Sequence, residues 1–286
     1  RDGPPANVTI DRDDRDARAF ALAAHPGTLR WSRKMEVAAN GSPTSFGVDL
    51  GAISCLVIAD GTGELRAVSS SEIPLGVGNV EGTPGTLGAA SAEWHVYVGR
   101  SGTSAAFQIS ATVPDASLTF KSSGSAPFFD PTKRFLGTFF TDSTGAPIPM
   151  LALNGRCLYR RSAIASVAGL IAANGLRAVD GAVAVARTAL DLSDRIPLHA
   201  RRAILSASVL LGASGSNGTG AVNLYDAADT TSIARVVEAK AEGSGAIARN
   251  TATVEVLLTS AQVCGYSVTQ SAGTAAADID LLGWEE

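Results

Sequence analysis

The sequence predicts a mainly β protein: a short N-terminal arm or helix followed by two antiparallel, sandwich-like β domains. Three observations carry this. Apolar residues recur at period two in stretches of strand length, as in Ala203, Leu205, Ala207, Val209 and Leu211, and that alternation puts every apolar side chain on one face of a strand. Clusters of Gly, Ser, Asn and Pro, such as Asp60–Gly63 and Gly212–Gly220, punctuate those stretches as turns. The one clear helical signal lies within residues 1–30.

In that first segment Asp11, Asp13, Asp14 and Asp16 precede the Ala-rich run Ala17–Ala24, which stops at His25-Pro26-Gly27. Acidic residues ahead of good helix formers fit a helix N-terminus; a polar arm that orders only against a neighbour is the alternative. The Asp-rich run is no EF-hand, because Asp16 and Leu22 stand where that loop needs Gly and Glu. The opening Arg1, with no apolar secretory core after it, reads as a processed or trimmed start.

Residues 31–162 read as the first β domain. Phe46–Leu50 and Ile53–Ile58 are apolar runs of strand length, and Trp94, Val96 and Val98 share one face of a strand. Phe135, Gly137 and Phe139 do the same at period two, and Thr141–Gly145 is a hairpin loop of turn formers. Residues 163–190 are rich in Ala and Gly, with Gly169, Gly175 and Gly181 evenly spaced. They fit a linker, or short strands intertwined about a threefold axis, better than a helix, in which each Gly costs about 1 kcal/mol relative to Ala. Residues 191–286 read as a C-terminal β sandwich, where Val237, Ala239 and Ala241 alternate with Glu238, Lys240 and Glu242.

Composition narrows the function. Net charge is −4 with a pI near 5.5, which argues against a nucleic-acid partner, since such proteins carry a basic face. No apolar run is long enough to span a bilayer as a helix, so membrane insertion is not expected. Cys55, Cys157 and Cys264 are widely separated and odd in number; they read as small buried residues in a reducing compartment, not as a disulfide frame or zinc site. Aromatics are only 6% against 30 glycines, which leaves few large anchors and points to stability gained by assembly.

Two stretches resemble a known family. Trp94-His-Val-Tyr-Val98, then Pro131-Thr-Lys-Arg-Phe-Leu-Gly-Thr-Phe-Phe-Thr-Asp-Ser-Thr-Gly145, then Ile148–Tyr159 resemble a module of bacteriophage tail-fibre, head-fibre and other virion structural proteins. The C-terminal half, from Asp191–Pro197 to the strand Ile279–Trp284, looks like the domain that follows the module; Trp284 stands where Tyr is more usual. The resemblance spans roughly residues 90–160 and 190–286. It implies a structural fibre or spike subunit on the head or tail of a virion, assembled in the bacterial cytoplasm as a trimer. It also implies docking to other virion proteins, here assigned to the N-terminal region, and contact with a host-surface glycan.

A search for chemistry finds little. His25, His95 and His199 lack metal-ligand spacing and read as loop or surface histidines. No Gly-x-Ser-x-Gly elbow or phosphate loop is placed between a strand and a helix. Asp278 and Asp280 share a strand face and are the best acid pair for a glycan-cleaving spike; a solvated strand face explains them more simply. No catalytic residue, metal or cofactor is expected. For the alternative function, a carbohydrate-recognition module, the available rings are Trp31, Trp94, Tyr225 and Trp284. Tyr225 and Trp284 are the candidate sugar-binding residues, with Tyr225 the expected exposed ring.

Overall fold

The computed structural model describes residues 34–42, 45–51, 53–59, 65–70, 73–82, 85–88, 91–101, 104–124, 128–153, 155–159, 176–212, 217–227, 233–243 and 245–286. The expected arm at 1–30 and residues 163–175 of the expected linker or intertwined segment lie outside these. Within them the chain is mainly β, its sheets antiparallel, with one short 3-10 turn at Val77–Asn79.

The first half contributes β1 (Lys34–Ser42), β2 (Ser45–Leu50), β3 (Ile53–Ala59), β4 (Leu65–Ser70), β5 (Ile73–Leu75), β6 (Glu93–Ser101), β7 (Ser104–Ser110), β8 (Phe120–Ser122), β9 (Phe129–Phe140), β10 (Met150–Leu153) and β11 (Arg156–Tyr159). The second half contributes β12 (Arg177–Ala182), β13 (Val185–Asp191), β14 (Arg202–Gly212), β15 (Gly218–Tyr225), β16 (Arg235–Ala241), β17 (Ile247–Leu257), β18 (Val263–Gln270) and β19 (Thr274–Glu285). The linker expectation for 163–190 is therefore corrected from Arg177 onward: β12 pairs with β19 and β13 with β18.

The C-terminal sandwich follows the alternation in the sequence. Ala203, Leu205, Ala207, Val209 and Leu211 on β14 are all fully buried, as are Ala275, Ala277 and Ile279 on β19. They face the sheet β13-β18-β15-β16, whose inner side carries Val222, Val237, Ala239 and Val268. A Cβ at Gly220 would lie 3.0 Å from Ala275 Cβ and 3.3 Å from Leu211 Cδ1, so the small residues let the two sheets approach closely. Much of the Ala and Gly content is thus spent inside one chain.

The module in the first half forms the sheet β7-β6-β9-β8. Asp142 Oδ1 accepts hydrogen bonds from the Thr144 and Ala146 amides at 2.8 and 3.0 Å, and Gly145 takes φ 84°; the Thr141–Gly145 turn forms as its residues predict. The expected single face for Phe135, Gly137 and Phe139 is corrected. Val96 pairs with Gly137 but Tyr97 with Phe135, so the register shifts around Leu136. One extra residue reverses which face a side chain takes. Phe139 joins Trp94 in the main core, whereas Phe135 packs with Tyr97 (centroids 5.9 Å apart) and His95 (6.1 Å) outside it.

Gly137 lies under Met35: an added Cβ would sit 3.0 Å from Met35 Cε and 3.2 Å from Sδ. Because the far end of a methionine moves easily, Gly137→Ala is expected to cost only about 1–2 kcal/mol in urea unfolding. A loss well above 3 kcal/mol would show that Met35 is locked.

The two expected β domains share a sheet. Its order is β17-β14-β19-β11-β10-β1-β2-β5, with β12 beside β19, so strands from 34–159 and from 177–285 pair in one layer. At the join, β11 approaches β19 so closely that a Cβ on Gly283 would collide with the Cys157 carbonyl. Trp284, fully buried, meets Phe140 and Tyr159 edge-on at 5.8 and 5.5 Å. The segment between β13 and β14 also crosses the join: Tyr159 donates to the Arg195 carbonyl at 2.7 Å, and Leu192, Ile196 and Ala200 enter the common core.

Candidate functional site

The sugar-binding candidates are not exposed rings. Trp284 is wholly buried at the join, and Trp94 is 8% exposed. Tyr225 is also 8% exposed, so its expectation as the open ring is corrected; Trp31 lies outside the described residues. Tyr225 falls on the face of β15 turned away from the sandwich core, opposite Gly265 of β18. Its hydroxyl is 3.0 Å from Ser267 Oγ, and Asn223 Nδ2 donates to Ser267 Oγ at 3.1 Å and to Thr269 Oγ1 at 3.4 Å. A neutral hydrogen-bonded row thus lines this face.

Arg187 of β13 lies over the row, its guanidinium carbon 4.6 Å from the Tyr225 ring centre. The ring face attracts the cation. Gly265 makes this possible, since a Cβ there would come within 3.2 Å of both Arg187 Nε and Tyr225 Cβ. Beside the stacked pair opens a cleft of about 260 Å³ lined by Arg187, Thr188, Ala189, Ala227, Thr259, Val263, Cys264 and Gly265. Arg187, Thr188 and Ala189 are exposed along β13, an edge strand of its sheet. The one thiol of the cleft, Cys264, is pushed up to about 12 by burial and by the nearby Asp226 charge, so it stays protonated and a poor nucleophile at neutral pH.

Asp278 and Asp280 do lie together, but around a cation. Arg177 Nε bonds Asp280 Oδ1 at 2.5 Å, and Arg177 Nη1 lies 3.3 Å from Asp278 and 2.9 Å from Asp180. Asp278 Oδ1 also accepts the Gly181 amide at 2.8 Å. These bonds tie β12 to β19, a structural use of the pair.

The histidine expectation is corrected too. His95 is 1% exposed, with Nδ1 2.9 Å from Thr138 Oγ1 and Nε2 3.7 Å from Glu93 Oε1. The face of β6 that looked free is covered from the second half: His199 meets Phe135 edge-on at 5.7 Å and lies 3.4 Å from Glu286 Oε1. Burial, with His199 nearby, lowers the His95 pKa to about 3, while burial raises that of Glu93. Cys157 and Cys264 are buried and in no disulfide, as read from their spacing. Among the described residues no group of three or more His, Cys, Asp and Glu could hold a metal ion, and no helix is long and apolar enough to cross a membrane.

Sequence reasoning missed Arg187, Thr188, Thr259 and Gly265. Arg187 sits between Ala186 and Thr188 in a stretch read as linker, and only strand pairing brings it to Tyr225.

No protein-family model matches this chain, and no curated protein matches it. Solved structures similar to it include one titled "Crystal structure of a Bacillus thuringiensis Cry1Da tryptic core variant", at 9% identity and a TM-score of 0.22. The alignment covers 91% of this chain and 54% of that one, so this chain spans about half its length. A likeness at that level says nothing about function.

Proposed function

We propose that this chain is a non-enzymatic structural subunit of a bacteriophage-like particle, a fibre or spike protein carried on head or tail. The observation that supports this best is the single sheet and core running from the Trp94–Tyr159 module into the C-terminal sandwich. A fibre element must hold its outer part in fixed relation to its base, and a continuous sheet does so without a hinge. The resemblance of the module to virion proteins supplies the particle; trimerisation and docking through residues 1–30 belong to the same proposal. Gold labelling of purified particles with an antibody to this chain tests it, and label absent from particles sinks it. Native mass spectrometry tests the assembly separately: a monomer at micromolar concentration removes the trimer.

The cleft beside Arg187 favours a second role on the same scaffold, recognition of a host-surface glycan. A shallow, partly exposed trough with hydroxyl and guanidinium donors is a binding surface of the kind sugars use.

A further inference from the structure

We propose that β17 joins two copies of this chain: Ile247–Glu255 of one copy adds antiparallel to the same residues of a second, about a twofold axis at Thr251. The contact goes beyond the fibre reading. Being twofold, it cannot close a ring of three, and a threefold contact present beside it would give six copies.

The backbone comes first. β17 ends the nine-stranded sheet and pairs along its whole length with β14 alone. Leu257, opposite Arg202, turns both backbone groups away from β14: its amide donates to Asp226 Oδ1 at 2.8 Å, and its carbonyl accepts the Ala227 amide at 3.1 Å. Leu258 turns the other way, its amide donating to the Arg201 carbonyl at 2.9 Å. In an antiparallel ladder this direction alternates residue by residue. The N–H and C=O groups of Ile247, Arg249, Thr251, Thr253 and Glu255 therefore point out of the sheet edge, and among the described residues no backbone group reaches them. Such a row is a template for another strand. Nothing in β17 blunts it, since no proline interrupts the strand and its register on β14 runs without a bulge.

The occupant follows from the length and the charges. The open stretch starts at Ile247 and stops at Glu255, because Asp226 and Ala227 close the edge at Leu257. A second β17 that fills this stretch has Thr251 at its centre. Thr251 then faces Thr251, Arg249 faces Thr253, and Ile247 faces Glu255. About ten backbone hydrogen bonds close, two for each facing pair. The side chains of these residues share the outer face of the sheet, where Ile247, Arg249, Thr251 and Thr253 are exposed. On that face Arg249 lies diagonally from Glu255 of the second copy, within reach of a long side chain. Arg249 makes no ion pair among the described residues. Glu255 holds Arg156 at 2.9 Å through Oε1 and turns Oε2 to the incoming cation. A twofold contact meets each charge with its opposite only if the strand carries one of each sign on opposite sides of the axis, and β17 does.

Native mass spectrometry and hydrogen exchange on the full chain test this. As concentration rises the mass is expected to double, from one copy to two or from three to six, and the Arg249, Thr251 and Thr253 amides to become protected with it. The Asn250, Ala252 and Val254 amides, which face β14, are protected at every concentration. Thr251→Pro removes the central outward N–H but no bond to β14, a place where an edge strand tolerates proline, and is expected to abolish the doubling. Arg249→Glu sets like charges across the axis and is expected to weaken association about tenfold; it carries the test alone if Thr251→Pro fails to fold. A mass that never doubles overturns the proposal, and so does doubling of undiminished strength in Arg249→Glu or in a folded Thr251→Pro chain. Protection of the three outward amides that is the same at every concentration also overturns it, since another part of this chain then covers the edge.

Discussion

Trp284→Ala is expected to destabilise the protein by about 3–5 kcal/mol, the usual loss when a buried aromatic is truncated without collapse of the site. Collapse is resisted here for a geometric reason: Phe140 and Tyr159 meet the indole edge-on from the first half, while β19 carries it in the second. At Gly283 the strands already touch, so β11 and β19 cannot close further on the void. For a chain of this size the loss corresponds to a melting temperature lower by roughly 10 °C. Trp284→Phe provides the control. The indole Nε1 has no hydrogen-bond partner, and removing an unsatisfied buried donor recovers part of what the lost volume takes away. Urea unfolding should therefore place Trp284→Phe within about 2 kcal/mol of the parent. A Trp284→Ala loss below 1 kcal/mol would mean that the ring does not hold the halves together.

The second large effect is acid destabilisation through His95. Its folded pKa, lowered to about 3 mainly by burial, lies below the unfolded value of about 6.5. Between those values the unfolded chain binds a proton that the folded chain does not. Stability from this group is therefore complete above about pH 6.5 and is lost as pH falls towards 3, by at most about 1.4 kcal/mol per pH unit. Glu93 works the other way. Burial raises its pKa, so the folded state binds its proton first and gains stability as pH falls through that raised value towards the ordinary one. The carboxyl lies 3.7 Å from His95 Nε2, so the two titrations are coupled and the net fall is less than a full proton. Glu81, lowered by Lys121 and Ser110 despite burial, adds acid loss only below its ordinary range. Urea midpoints at pH 7, 6, 5 and 4 check the sum: His95→Gln should flatten the profile between pH 6.5 and 4.5. An unchanged slope in that variant would move the acid sensitivity elsewhere.

How much of this was legible before the structure depends on the distance over which each residue's environment is built. The sandwich was readable because each strand's alternation answers only to the face beneath it: Leu205, Val209, Val237 and Ala239 are buried where period two put them. The Thr141–Gly145 turn was readable because Asp142 caps its own loop. Phe135 was misplaced because a single bulge at Leu136 inverts the pattern, and a bulge leaves no mark in alternation. His95 was misread because its cover, His199, comes from more than a hundred residues away. The cleft failed for the same reason, with Arg187 and Tyr225 brought together only by β13, β18 and β15 pairing in sequence across the sheet.

The shared sheet also decides where the ends of the described fold lie. Lys34 pairs with Leu153, Leu153 with Arg156, and Arg156 with Glu285. One row thus carries the first residue of β1 and the last of β19, three strand spacings or about 14 Å apart. A tether pulling on the chain just before Lys34 would load the same end of the sheet that holds Glu285, and a label fused after Glu286 would report from beside that tether. A circular permutant that joins residue 286 to residue 34 needs a bridge of only about five extended residues to close that gap, with new ends cut between β14 and β15.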